Sequence, residues 1–263
     1  MKLTWLGTAG FLIQVGKTAI LTDPFVSRNA DASPAVSIDI NSFKTVDRIF
    51  LSHGHFDHIF DVPQIVARSK ARVYCSSVTA RTLERCGIPM AHIEVIQHNG
   101  QETNWKTNGI HCSARAIYSR HVRFDLPFMI STVSRCGLGL FKLIPELLFY
   151  PCGQVLAWEI SIENKRILFF GTAGSGTNEL EVPAREPADI LLIPLHGHSN
   201  ICDIGLEYIR VLRPEQVIPC HYDDFFPPLS HMVDISPFLQ GIREMYPDTT
   251  ARVVSPGEPF LLK

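Results

Sequence analysis

The sequence predicts an α/β or α+β fold in which two β-rich layers are covered by helices. Short apolar runs of strand length cluster in each half of the chain, and helix-like segments lie between them. Hydrophobic residues make up 46% of the sequence and charged residues 19%, which is enough apolar material for a sizeable core. We treat residues 1–263 as a single domain with an apolar insertion at about 124–150.

The first half opens with three strand candidates joined by glycine turns. A proline closes the third of them and leaves Asp23 at its tip. One helix is predicted to begin with Asp61 as its N-cap and Pro63 in its first turn, and a second to end at Gly87. The predicted strands are 2–6, 11–15, 18–22, 46–51, 72–75, 93–96 and 109–117, and the predicted helices are 64–69 and 77–86.

The second half repeats this alternation after the apolar insertion. A glycine-rich turn follows the second of its predicted strands at 171–176, but it lacks the lysine of a phosphate-binding P-loop. Asp203 is predicted to cap a helix that runs to Leu212. The predicted strands of this half are 154–162, 166–170, 190–194, 216–219, 251–254 and 259–262.

The net charge and the cysteine content indicate which binding partners and which cellular compartment to expect. The net charge of −2 gives no electrostatic argument for nucleic acid or an anionic membrane surface. The seven cysteines are dispersed and form no Cys-x-x-Cys pair, which is typical of reduced thiols, and we predict a cytoplasmic protein. Among them, Cys220 beside His221 is predicted to lie near the chemistry. Neither a signal peptide nor a transmembrane segment is expected.

The strongest chemical signal is the segment from Ser52 to His58, directly after the predicted strand 46–51. It contains three histidines and an aspartate in six positions. Neutral imidazole and carboxylate are the ligands that Zn, Mn and Fe take up in catalytic sites. Gly54 gives the backbone freedom to turn several side chains toward one point. The segment therefore predicts a metal-binding loop.

This His-x-His-x-Asp-His pattern resembles that of the metallo-β-lactamase superfamily. The resemblance implies an αββα sandwich of two mixed β-sheets flanked by helices. The N-terminal pattern from Trp5 to Ile13 and the segment from Leu192 to His198 are similar to the branch that contains the ascorbate-phosphate lactonase.

The resemblance also implies two adjacent metal positions. In the family an early aspartate supports the metal loop through hydrogen bonds, and Asp23 takes that place. Asp57 would orient the attacking hydroxide and take part in proton transfer, which makes it the catalytic candidate. The resemblance further implies that the first metal position would be held by His53, His55 and His121, and the second by Asp57, His58 and His221.

One place departs from the family pattern. Where the family has an aspartate that bridges two metals, this chain has Thr172. A hydroxyl carries no charge to offset the repulsion between two divalent ions. We expect one tightly bound divalent metal, Zn with Mn or Fe as alternatives, and a weak or rearranged second site. His196 and His198 are further candidates, which either hydrogen-bond to backbone or act as ligands or substrate contacts.

The apolar insertion at 124–150 follows His121 directly. It is either a helical flap that covers the site or binds an apolar substrate, or a helix docked on the core or on a second subunit. Charged residues and prolines interrupt it, so it is not expected to cross a bilayer.

Together these features predict a metal-dependent hydrolase that uses a metal-bound hydroxide on an ester, lactone or phosphodiester. The partner would be a small molecule, apolar or phosphorylated, and a homo-oligomer stays open. Thr172 motivates an alternative, a metal-binding sensor or scaffold that has lost hydrolytic activity. A third interpretation is an iron oxidoreductase with the same ligands. The sequence shows no flavin-binding domain that would supply electrons to such an enzyme, which argues against its electron-transfer form.

Overall fold

Two seven-stranded β-sheets form the centre of the computed structural model. The structure describes residues 1–261 apart from 108, 140–144, 146–147, 175–179 and 182. The strands are β1 Lys2–Gly7, β2 Gly10–Val15, β3 Thr18–Thr22, β4 Arg48–Phe50, β5 Arg72–Cys75, β6 Ile93–Val95, β7 Glu102–Thr107, β8 Ile110–Ser119, β9 Val155–Ile162, β10 Lys165–Phe170, β11 Ile190–Pro194, β12 Gln216–Cys220, β13 Thr250–Ala251 and β14 Pro259–Leu261.

The two sheets are built alike. Their strand orders are β14-β1-β2-β3-β4-β5-β6 and β13-β12-β11-β10-β9-β8-β7. In each sheet one end is antiparallel and the other parallel, so both are mixed, as predicted. The described α-helices are α1 Phe56–Ile59, α2 Val62–Ser69, α3 Ser77–Arg85, α4 Leu126–Cys136, α5 Ile201–Leu212 and α6 Ser236–Met245.

Three apolar clusters hold these layers together. The central cluster joins the facing sides of the sheets, where Phe50 of the first sheet packs against Trp158 of the second. A second cluster lies between the first sheet and α2 and α3, and a third between the second sheet and α5 and α6. This arrangement is the predicted αββα sandwich. Of the described helices, none is both long and apolar enough to cross a membrane.

The structure corrects several sequence-based predictions of elements. β7 was missed because it is an edge strand with polar residues, and Trp105 is its buried anchor. α6 was missed because Gly241 interrupts its pattern. That glycine serves helix packing, since a Cβ there would lie 2.5 Å from Leu206 Cδ1 of α5. The predicted strand at 251–254 is the two-residue β13.

Of the two predicted acidic helix caps, one is confirmed in position and the other is wrong. Asp61 occupies the N-cap position of α2 with Pro63 in the first turn, but its side chain makes no capping hydrogen bond, because its buried carboxylate accepts the N–H groups of Val26 at 2.6 Å and Ser27 at 2.8 Å. These two hydrogen bonds therefore fix the loop after β3 to the start of α2. For α5, the N-cap position belongs to Asn200, and Asp203 lies in the first turn, where its charge faces the positive helix end.

Candidate metal centre

The loop after β4 is anchored by the buried carboxylate of Asp23. Asp23 Oδ1 accepts the Ser52 N–H at 2.7 Å, and Oδ2 accepts the Ser52 hydroxyl and, at 2.7 Å, the Nδ1–H of His58. Because the hydroxyl proton of Ser52 points to Asp23, we assign His53 Nδ1–H as the donor to Ser52 Oγ at 2.8 Å. His53 Nε2 is then left with a free lone pair. The Asp23 carboxylate thus fixes the orientation of Ser52 and His58 in this loop.

A first group of donors gathers around His53 and His55. His53 Nε2 lies 3.0 Å from His55 Nδ1, and the His121 ring centroid lies 5.1 Å and 4.9 Å from those of His53 and His55. His121 Nδ1 donates to Val122 O at 2.8 Å, so its Nε2 is also available. The sulfur of Cys152 joins this group: the donor atoms of His53, His55 and Cys152 all lie within 4.8 Å of one another.

A second group of donors consists of Asp57, His58 and His221. Asp57 Oδ2 lies 3.3 Å from His221 Nε2 and 3.5 Å from His58 Nε2. His221 is positioned by the left-handed backbone at its own residue (φ 56°) and by its N–H, which donates to Thr8 O at 2.8 Å. The structure therefore brings together the six ligand candidates of the sequence analysis in two adjacent groups.

The electrostatics of the first group favour neutral imidazoles. Burial, with help from the neighbouring imidazoles, lowers the pKa of His53 well below its usual value. Burial also lowers the pKa of His55 to about 4, although Asp57 opposes the shift, and it lowers the pKa of His121. All three rings are neutral at pH 7, which is the state that binds a metal.

The second group favours positive charge. Burial alone would raise the pKa of Asp57, but His58 and His221 outweigh it and hold that pKa well below its usual range. Burial would lower the pKa of His58, yet the carboxylates of Asp57 and Asp23 raise it. Two imidazoles beside an ionised carboxylate are a ligand set for a divalent metal, which would supply the positive charge that this position favours.

A family model described as a beta-lactamase superfamily domain matches residues 18–222, which include both donor groups. The chain belongs to the metallo-β-lactamase superfamily. It is 28% identical to a UPF0173 metal-dependent hydrolase of Carboxydothermus hydrogenoformans over 265 aligned residues, covering 100% of both chains.

Two solved structures show the same fold. Igni18, a metallo hydrolase of Ignicoccus hospitalis, aligns with a TM-score of 0.69 at 20% identity, over 100% of this chain and 99% of its own. The metallo-β-lactamase fold protein YhfI of Bacillus subtilis aligns with a TM-score of 0.62 at 12% identity, over 98% of each chain.

Thr172 lies in the turn after β10, at the position for which the resemblance implied a bridging aspartate. Its hydroxyl accepts the N–H of Val122 at 3.1 Å and so holds the loop that carries His121. The preceding residue must be glycine, because a Cβ on Gly171 would lie 2.0 Å from Ser52 Oγ and 2.3 Å from Asp23 Oδ2. The turn is thus packed directly against the support of the metal loop.

The two histidines after β11 have different surroundings. His196 lines the cavity over the donor groups and stacks on His221, with centroids 5.3 Å apart and planes 11° apart. Within the described residues its buried Nε2 has no hydrogen-bond partner. His198 is not part of the described cavity lining, and its Nδ1 accepts the Asn200 N–H at 2.9 Å. His198 was favoured over His196 for substrate contact from the sequence, whereas of the two it is His196 that lines the described cavity.

Two cysteines neighbour the site residues in different ways. Cys220, directly before His221 in the chain, is buried in the core between the sheets, whereas Cys152 lies beside the metal loop. Burial, reinforced by the charge of Asp57, raises the pKa of the Cys152 thiol to about 11. No sequence spacing pointed to Cys152, because the contact is made by a segment about 100 residues away in the chain.

A cavity of about 390 Å³ opens over both donor groups. Helix α4 supplies one wall of this cavity, so part of the apolar insertion lies at the site. Much of the remaining insertion, 140–144 and 146–147, lies outside the described residues. The apolar side chains of the walls include Phe56, Phe124, Phe128, Met129, Val133, Phe225 and Leu229.

Proposed function

We propose that this protein is a metal-dependent hydrolase whose substrate is a small, uncharged ester or lactone. The observation that carries the proposal is the pair of donor groups at the floor of an apolar cavity. The names of its full-length relatives, metal-dependent hydrolases, support the reaction type.

Each donor group has its proposed role. His53, His55 and His121 would hold the first metal, and Asp57, His58 and His221 would contribute to the second. A bound divalent metal, for which we propose Zn, would supply Lewis acidity and a nucleophilic water at neutral pH. Asp57 would orient the attacking water and accept its proton. Asp23 keeps His58 in the tautomer that leaves Nε2 free, and through Ser52 it does the same for His53.

The cavity walls favour an uncharged substrate over a phosphodiester. Among the described lining residues there is no lysine or arginine to pair with a phosphate. Burial lowers the pKa of His196 well below its usual value, so this histidine is neutral as well. Phe124 and Phe128 stack on each other, with centroids 5.3 Å apart, and offer an apolar surface next to His121. This surface suits an acyl or ring substituent.

The test combines metal analysis with a substrate panel. We expect purified protein loaded with Zn to hydrolyse uncharged esters and lactones, to lose turnover on chelation, and to recover it on Zn addition. A phosphodiester series of matched size should be hydrolysed more slowly. Firm metal binding without turnover on any of these substrates would contradict the proposal. It would favour the alternative of a sensor or scaffold, which the missing carboxylate at Thr172 supports.

Thr172→Asp is expected to raise the metal content toward two ions per chain and to increase turnover. The new carboxylate would lie in the turn between the donor groups and offset the repulsion between two divalent ions. Thr172→Asn is the matched control, since it has the same shape without the charge. If the aspartate variant gains neither metal nor activity relative to the asparagine variant, the explanation of the second site through a missing bridge is wrong.

Three expectations about the whole protein stay predictions. A cytoplasmic location is supported by seven cysteines that form no disulfide. A homo-oligomer is supported by the outer face of α4, where Leu126 and Ile130 are 69% and 67% exposed. We also retain residues 1–263 as a single domain.

A further inference from the structure

A sulfur donor lies close to both His53 and His55 in the first group. The donor atoms of His53, His55 and Cys152 lie within 4.8 Å of one another, and within the described residues no such group of three includes His121. In a tetrahedral Zn site, bonds of about 2.1 Å to nitrogen and 2.3 Å to sulfur separate neighbouring ligand atoms by about 3.5 Å. The sulfur is therefore within a small side-chain adjustment of a ligand position.

The backbone around Cys152 is fixed against the metal loop. Gly54 N donates to Cys152 O at 2.9 Å, and this close approach depends on glycine, because a Cβ there would lie 2.2 Å from Pro151 O. On the other side, Gly153 has a φ of +70°, and a Cβ on it would lie 2.7 Å from Val78 Cβ. Glycines on both sides of the contact thus hold this cysteine at the site.

The described site has few negatively charged groups to balance the charge of a divalent metal, so an additional anionic ligand would be favourable. Asp57 is the only carboxylate in the cavity lining that the structure describes. Asp23 is engaged with Ser52 and His58, and Thr172 replaces the bridging aspartate. A thiolate would supply a negative charge that the nitrogen ligands around His53 and His55 do not.

We propose that Cys152 binds, as a thiolate, the metal ion held by His53 and His55, so that the first position is a mixed nitrogen and sulfur site. This inference rests on the proposed metal-dependent function. On binding, the S–H bond breaks, a sulfur–metal bond forms, and the proton leaves to solvent. A soft sulfur ligand favours Zn over Mn, which narrows the metals left open by the sequence.

Cobalt spectroscopy tests the ligand directly. Protein loaded with one equivalent of Co²⁺ should show a thiolate-to-cobalt charge-transfer band in the near ultraviolet. Cys152→Ser should lose that band, and its dissociation constant for Zn should rise by more than about tenfold. Cys86→Ser is the control, because Cys86 is a partly buried thiol outside every donor group and should keep the band.

A second measurement needs no variant. Iodoacetamide should label Cys152 in the metal-free protein, and Zn should protect it, while labelling of Cys86 should not depend on Zn. Firm Co²⁺ binding without the charge-transfer band, or labelling of Cys152 that Zn does not change, would overturn the thiolate ligand and leave the proposed hydrolase intact. If the wild-type protein binds neither Zn nor Co²⁺, the proposed function fails together with this inference.

Discussion

Asp57→Asn is expected to lower kcat/KM on a hydrolysed ester or lactone by about 10²–10⁴-fold, the range for loss of a general base. Asparagine keeps the shape of the side chain but can neither accept a proton nor contribute charge. His58 and His221 hold the pKa of Asp57 well below its usual range, so the native carboxylate is ionised throughout a neutral assay. Steady-state kinetics, with metal content measured on the same samples, check the prediction.

Asp203→Asn is the matched control for this variant. Asp203 is exposed in the first turn of α5, outside the donor groups, and its substitution should leave kcat/KM unchanged. The kinetics also separate two roles of Asp57. Lost turnover at full metal content points to proton transfer, whereas lost turnover with lost metal points to ligation. An Asp57→Asn protein that retains wild-type kcat/KM would remove Asp57 from the proposed mechanism.

Gly54→Ala is expected to lower the free energy of unfolding by about 1–3 kcal/mol, the range for inserting a methyl group into a well-packed region. The added Cβ would lie 2.2 Å from Pro151 O, a backbone atom that cannot rotate away. Either the metal loop or the segment at 151–153 must move, and the hydrogen bond from Gly54 N to Cys152 O is lost with it. Metal affinity should fall as well, because His53 and His55 flank the substitution.

Chemical denaturation with and without Zn, together with a Zn competition titration, measures both effects. Gly139→Ala is the control: it is exposed, and among the residues that the structure describes a Cβ there meets no atom within 4 Å, so its stability and Zn affinity should match the wild type. Should Gly54→Ala bind Zn as tightly as the control, the close packing of residues 151–153 on the metal loop would not matter for the site.

Most members of the two donor groups could be predicted from the sequence, but Cys152 could not. The spacing of the histidines from His53 to His58 identified the loop because these ligands are neighbours in the chain and follow a recognisable strand. His121 and His221 were found because each follows a strand of the superfamily pattern. Cys152 could not be found in this way, since its short segment has no periodicity and its partner Gly54 is about 100 residues away.

The direction in which a side chain points could not be predicted from the sequence either. His196 and His198 follow the end of β11 by two and four residues, yet of the two only His196 lines the described cavity, because Gly197 turns the backbone between them with a φ of +97°. Asp61 is the N-cap residue of α2, as its position before Pro63 predicts, but its carboxylate accepts N–H groups of the loop after β3 rather than of the helix. A local pattern cannot reveal a partner that the fold brings from another element.

By itself, the sequence of this protein determined the order of most strands, the metal-binding loop after β4 and the absence of a carboxylate at Thr172. These are local properties, encoded in periodicity and in ligands that are close in the chain. Tertiary structure alone decided that Cys152 joins the first donor group and that α4 walls the cavity. Both follow from packing between distant segments, where the lack of a side chain on Gly54 lets the backbone at Pro151 come close enough to bring a thiol to the site.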